Sequence, residues 1–133
     1  MQILISRNNL SLFMDDKVTI SELKELVKQF CEERDWDQFH NAKELAVDMI
    51  IEAAEVLDHF RFKSAGEVDD LFADPFRRKQ IHDEMADVLF ALMRLAQRYN
   101  VDLSDALRVK IAETAKKYPV DKFKGSNKEY NEE

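Results

Sequence analysis

Two pairs of acidic residues three positions apart hold the chemistry this sequence is best equipped for: Glu52 with Glu55, and Glu84 with Asp87. Three steps along an α-helix return a side chain to the same face, so a helical segment turns each pair into a two-carboxylate edge. Spacing alone is a weak signal. Glu22/Glu25, Glu67/Asp70 and Asp102/Asp105 repeat it, and such pairs commonly sit on solvated helix faces. The neighbours single out the first two. With about 100° per residue and Glu52 at zero, the apolar residues between Leu45 and Phe60 spread from roughly 20° to 260°. Asp48, Glu52, Glu55 and His59 fill the narrow stripe that is left. An ordinary surface helix has an apolar arc little wider than about 100°, so this segment reads as a helix buried on most sides with one acidic line through it. In the second segment Asp83, Asp87 and Arg94 cluster on one side. Glu84 instead lies within roughly 20° of Leu95 and Ala91, at the margin of the apolar face. A carboxylate placed there needs a partner.

If the two helices pack antiparallel, the four carboxylates converge. Two such charges about 5 Å apart repel by about 3 kcal/mol at an effective dielectric near 20. Protonation or a divalent cation relieves that repulsion. An all-oxygen donor set suits magnesium, with manganese as the alternative, and fits zinc poorly because zinc favours Cys and His. A di-iron bundle would need Glu-x-x-His, and none of His40, His59 and His82 follows a glutamate at that spacing.

The elements that must position these residues are legible as helices. Thr19 and Glu22 form a capping box, with Val18 and Leu23 spaced as a hydrophobic staple, which predicts a first helix over about 20–34. A polar and aromatic connection, Trp36 to Asn41, leads into a second helix over about 42–63. A looser acidic segment follows around 66–73. Asp74 then caps a third helix with Pro75 in its first position, reaching about residue 99. Asp102 or Ser104 starts a fourth, ending near Lys117 before Pro119. The resulting expectation is an all-α, four-helix bundle-like fold. Residues 1–17 read as an N-terminal arm, 18–119 as the helical catalytic domain, and 120–133 as a C-terminal tail in extended form.

Composition sets the outer limits. The 133 residues suit one domain, and only two Gly and two Pro agree with long helices. A net charge of −7 lacks the basic footprint of a nucleic-acid binder. An acidic chain can still hold a polyanion if metal ions stand between the two. The lone Cys31 permits no internal disulfide and fits a reducing compartment. No run reaches the length of a membrane span, which makes cytoplasm the expected location.

Four ordered motifs carry a resemblance. Glu52-Ala-Ala-Glu55 and Glu84-Met-Ala-Asp87-Val-Leu are preceded by Glu33-Arg-Asp-Trp36-Asp-Gln-Phe39-His40. They are followed by Val101-Asp-Leu, Lys110 and Lys117-Tyr-Pro119. In this order the chain resembles the MazG-like, all-helical nucleoside triphosphate pyrophosphohydrolases, and within them the dCTP pyrophosphatase branch, from about residue 20 to 130.

The resemblance implies hydrolysis of a nucleoside triphosphate, dCTP or a modified pyrimidine nucleotide, to monophosphate and pyrophosphate. Magnesium ions would bridge the triphosphate, and a metal-activated water would attack the α-phosphorus. By position Glu52, Glu55, Glu84 and Asp87 would be the metal-binding, catalytic set, with one glutamate helping to deprotonate the water. Trp36, His40 and Phe62 match positions around the base, and Lys110 matches a phosphate-side lysine. Thr114, Lys117 and Tyr118 belong to the same substrate-binding set. Asp48 and His59, which extend the acidic stripe, would stand just outside the ligands. A homo-oligomer is also implied, a tetramer built as a dimer of dimers, and the wide apolar arcs agree with it.

Plainer roles exist for several of these residues. Trp36 and Phe39 could be core, His40 could serve only the start of a helix, and Lys110 and Lys117 could favour a helix C-terminus. The chain also departs from the family pattern. Ile51, Ala53 and Ala54 stand where glycines are frequent, Ala91 replaces an aromatic, and Thr114 replaces an asparagine. The last two motivate the alternative of a helical nucleotide-binding or interaction module without turnover.

Overall fold

The structure, a computed structural model, describes residues 14–132. The expected arm over 1–17 lies outside the described residues except for its end, where Met14–Lys17 closes as a turn. The described chain is all-helical. Helices α1 (Ile20–Glu32), α2 (Ala42–Phe60), α3 (Ala65–Ala73), α4 (Pro75–Arg98), α5 (Leu103–Lys117) and α6 (Val120–Phe123) are joined by short links, with one 3-10 turn at Asp37–Phe39. No strand occurs among the described residues. The chain divides into two compact units, one ending at Asn100 and one beginning at Val101.

The helix starts follow the capping chemistry in the sequence. At α1 the Thr19 hydroxyl accepts from the Glu22 amide at 3.1 Å, and the Glu22 carboxylate accepts from the Thr19 amide at 2.7 Å. That reciprocal pair satisfies two amides that the first turn leaves without helical partners. It also holds the Glu22 carboxyl below its ordinary pKa, chiefly through the Thr19 backbone hydrogen bond. Asn41 caps α2 through the Glu44 amide, Asp74 caps α4 through Phe76 and Arg77, and Asp102 caps α5 through Asp105, each at 2.9 Å.

In the first unit α4 is the central element, packed against α2, α1 and α3. Cys31, Leu45, Ile81, Ala91, Met93 and Ala96 form the buried apolar set. Ala91 matters here because its small side chain sits where α4 is fully covered. The Tyr99 hydroxyl accepts from the Ala42 amide at 2.8 Å. It thereby ties the start of α2 to the end of α4.

Four sequence expectations differ from the structure. The loose segment around 66–73 is helical, because Ser64 and Glu67 make a second capping box ahead of α3. Helix α2 ends at Phe60, before the expected Lys63. Arg61 turns extended, and Phe62 takes a left-handed φ of 61° that cannot continue a helix. The apolar arc of α2 is not buried on most sides within one chain, since Val47, Ile50, Ile51 and Leu57 are exposed and Leu45 alone is fully covered. In the second unit the expected extended tail begins as helix α6. There Tyr118 packs edge-on against Phe123 and Tyr130, at centroid distances of 4.9 and 5.8 Å.

Candidate functional site

Helices α2 and α4 supply the acidic site. Because they pack against each other, the i and i+3 edges of two separate helices come together. Carboxylate oxygens of Glu52, Glu55 and Glu84 lie within 4.8 Å of one another. Asp87 is outside that distance and exposed, yet its charge acts on both Glu52 and Glu84.

The electrostatics of the cluster are unfavourable to three free carboxylates. Burial, followed by the charges of Glu55, Asp87, Asp48 and Glu84, pushes the Glu52 carboxyl above its ordinary pKa. Glu84 is raised too, first by its hydrogen bond with Glu55, then by burial and by the Glu55 and Asp87 charges. Only His59, with Nε2 at 3.9 Å from Glu84 Oε1, works in the other direction. The Glu52 Oε2 atom is shut off from solvent and has no hydrogen-bond partner. Buried carboxylate oxygens without a donor are costly. Three carboxylates, one of them with an orphaned oxygen, form a hard-oxygen donor set that fits a divalent cation of the magnesium or manganese type.

One turn before Glu52 on the same helix, Asp48 enters a second feature. A cavity of about 390 Å³ is lined by Trp36, Phe39, His40, Glu44, Leu45, Asp48 and Phe90. The 3-10 turn between α1 and α2 places its aromatic wall. Trp36 contacts His40 edge-on at 6.0 Å between centroids, and Phe30 spans Trp36 and Phe90 at 5.6 and 5.8 Å. Phe39 is 61 % exposed and Trp36 37 % exposed, so neither is core. Aromatic faces, two carboxylates and an imidazole around such a volume suit a planar polar ring.

Phe62 does not line this cavity. It is 91 % exposed on the loop after α2, with the Arg61 guanidinium over its ring at 4.8 Å. The remaining expected substrate contacts lie in the second unit. Lys110 and Lys117 are exposed on α5 and Thr114 is half-buried, while the Tyr118 hydroxyl donates to Glu129 Oε2 at 2.8 Å. That hydrogen bond is the main reason the Tyr118 hydroxyl is held above its ordinary pKa.

Arg94 is the residue that helical spacing misjudged. Grouped by angle with Asp83 and Asp87, it is in fact fully buried. Its Nη2 pairs with Asp37 Oδ1, its Nη1 donates to Gln97 Oε1 at 2.6 Å, and its Nε donates to His40 Nδ1 at 2.9 Å. A signal was present. Arg94 is the one charged residue in the run Val88–Ala96, and a lone charge inside an apolar stretch is retained when it has buried partners.

Comparison with known proteins follows the same lines. The MazG-like family profile matches residues 47–132. The dCTP pyrophosphatase 1 proteins of Rattus norvegicus and Homo sapiens are 33 % and 32 % identical over 114 residues, which is 86 % of this chain and 67 % of theirs. Among solved structures, a pyrophosphatase from Archaeoglobus fulgidus is similar with a TM-score of 0.71 and 31 % identity. It covers 75 % of this chain and 92 % of its own. With three helix-borne carboxylates drawn together inside the span that the family profile matches, the chain belongs to the MazG-like family and is an enzyme of the nucleoside triphosphate pyrophosphohydrolase class.

Proposed function

We propose that this enzyme hydrolyses dCTP or a modified pyrimidine nucleotide, with magnesium, to the monophosphate and pyrophosphate. Water attacks the α-phosphorus, the bond from that phosphorus to the bridging oxygen breaks, and pyrophosphate leaves with that oxygen. The observation that carries the reading is the convergence of carboxylate oxygens of Glu52, Glu55 and Glu84, with Glu52 Oε2 buried and unpartnered. These three would hold the cation, with Asp87 completing the set. Bound there, magnesium, or manganese in its stead, offsets the charge of the phosphates and lowers the pKa of water.

The chain's own groups do the rest. One of the three glutamates would take a proton from the attacking water. Trp36 and His40 would flank the base in the adjoining cavity. Glu44 and Asp48 bring to it acceptors that suit an exocyclic amine, as on cytosine. The family resemblance also assigns Phe62, Lys110, Thr114, Lys117 and Tyr118 to the substrate, although Phe62 lies outside the cavity and Thr114 stands where the family has an asparagine.

Residues 18–119 would form the catalytic domain, flanked by the 1–17 arm and the 120–133 tail. The assembly would be a homotetramer, a dimer of dimers, and the exposed apolar face of α2 supports it. No helix among the described residues is long and apolar enough to cross a membrane. The free, buried Cys31 suits a cytoplasmic setting.

A panel of canonical and modified triphosphates with magnesium, read by phosphorus NMR, tests the proposal. The expected products are monophosphate and pyrophosphate, best from a cytosine nucleotide. Glu52→Gln and Glu84→Gln are expected to lower kcat by at least about a hundredfold. Orthophosphate as the sole product, or full activity in both variants, would refute the reading.

A further inference from the structure

The turn that forms the aromatic wall of the cavity is clamped from α4 by two arginines one helical turn apart. Arg98 Nε donates to the His40 carbonyl at 3.3 Å, and its Nη1 lies 3.6 Å from Asp37 Oδ2. Arg94 reaches further in. It is fully buried, and it spends one guanidinium edge on Asp37 and its Nε–H on the imidazole Nδ1 of His40. A guanidinium has donors only and does not lose its proton in a protein. The nitrogen facing it must therefore be unprotonated. A neutral imidazole with a bare Nδ1 carries its proton on Nε2.

We propose that Arg94 is a positioning residue for the cavity. By donating to His40 Nδ1 it fixes the ring as the neutral Nε2–H tautomer, so that His40 offers a hydrogen-bond donor to an acceptor atom of the nucleobase. This rests on the reading that the cavity takes the base. The surroundings agree with the neutral form. Burial first, then the Arg94 charge, holds His40 below its ordinary pKa, with Arg98 adding to the effect and Asp37 and Asp48 opposing it. The division of labour follows. Glu44 and Asp48 are acceptors and His40 is the matching donor, so the cavity can distinguish an amine edge from a carbonyl edge of a pyrimidine. Arg94 touches no substrate. Its effect passes through His40 and falls on substrate binding.

The test begins with the unmodified full chain. Nitrogen-15 NMR of the histidine rings, with His40 assigned by its absence in His40→Gln, is expected to place the His40 proton on Nε2. Arg94→Lys, which keeps the charge but loses the planar donor, is expected to give a mixture of tautomers. The same variant should raise KM for dCTP about tenfold, with kcat within about twofold, as loss of a binding interaction predicts. Glutamine at position 40 supplies an amide donor that needs no tautomer lock, so Arg94→Lys is expected to cost little more in the His40→Gln background. A proton on Nδ1 in the unmodified chain overturns the proposal, as does a folded Arg94→Lys variant with unchanged KM. If that variant fails to fold, the spectrum of the unmodified chain decides alone. Absence of turnover of dCTP and of every modified pyrimidine triphosphate in the panel would overturn the proposed function instead, because the tautomer is read without substrate.

Discussion

Glu52 is held where burial and four neighbouring carboxylates all act against its charge, so its ionised form is destabilising until a cation arrives. Glu52→Gln removes the charge and keeps the shape. In chelator the variant is expected to melt about 3 °C above the parent, the shift that roughly 1 kcal/mol gives a domain of this size. Added magnesium should raise the parent's melting temperature and leave the variant's nearly unchanged, as ligand linkage requires. Differential scanning calorimetry with and without the metal checks both. Asp37 is the opposite case. Its hydrogen bond with Arg94 holds its carboxyl below the ordinary value of 3.8. A depressed carboxyl stabilises the fold fully above the unfolded pKa and loses that contribution as pH falls through the folded one. The stability advantage of the parent over Asp37→Asn should therefore be full at pH 7 and shrink below about pH 4, measured by urea unfolding at each pH. Glu52, Glu55 and Glu84 were legible as a group because period and composition agreed at their positions, whereas Asp87, expected with them, lies outside their cluster. Arg94 was not, because angle alone groups it with Asp83 and Asp87, while its placement depends on Asp37 and His40, residues more than fifty positions away.

Helices were read from local chemistry wherever that chemistry is local. The starts of α1, α2, α4 and α5 follow side-chain caps within three residues of the helix. Thr19→Ala opens the reciprocal pair at α1 and is expected to cost about 1 kcal/mol, seen as a lower urea midpoint with unchanged m-value. The same rule would have found α3. Ser64-Ala-Gly-Glu67 is a capping box ahead of Val68 and Leu71, but Gly66 and three acids within 67–70 made the segment resemble a loop. The end of α2 was harder, since Arg61 and Phe62 carry no Gly or Asn signal for a left-handed residue.

At the scale of the whole molecule, one chain leaves Ile50 71 % exposed and Leu57 62 % exposed on a helix whose opposite side carries the acidic site. Faces of this kind are characteristic of interfaces between copies. Light scattering is expected to give a mass near four times the 15.6 kDa of the chain. Ile50→Glu should reduce it to a smaller species, and a monomeric parent would contradict the assembly. The all-α class was readable from few helix breakers and repeated caps. The wide apolar arc of α2 was readable too, but not which of its residues a single chain leaves exposed, because an arc looks the same whether its cover comes from the same chain or another. Cys31 closes a different account. It is the chain's one thiol, it has no exposed surface, and burial raises its pKa. Oxidants and alkylating reagents need an accessible thiolate, so in the intact fold they have nothing to attack. A covalently linked pair of chains would accordingly be a record that α1 had come away from α4, which makes this sulfur a chemical memory of past unfolding.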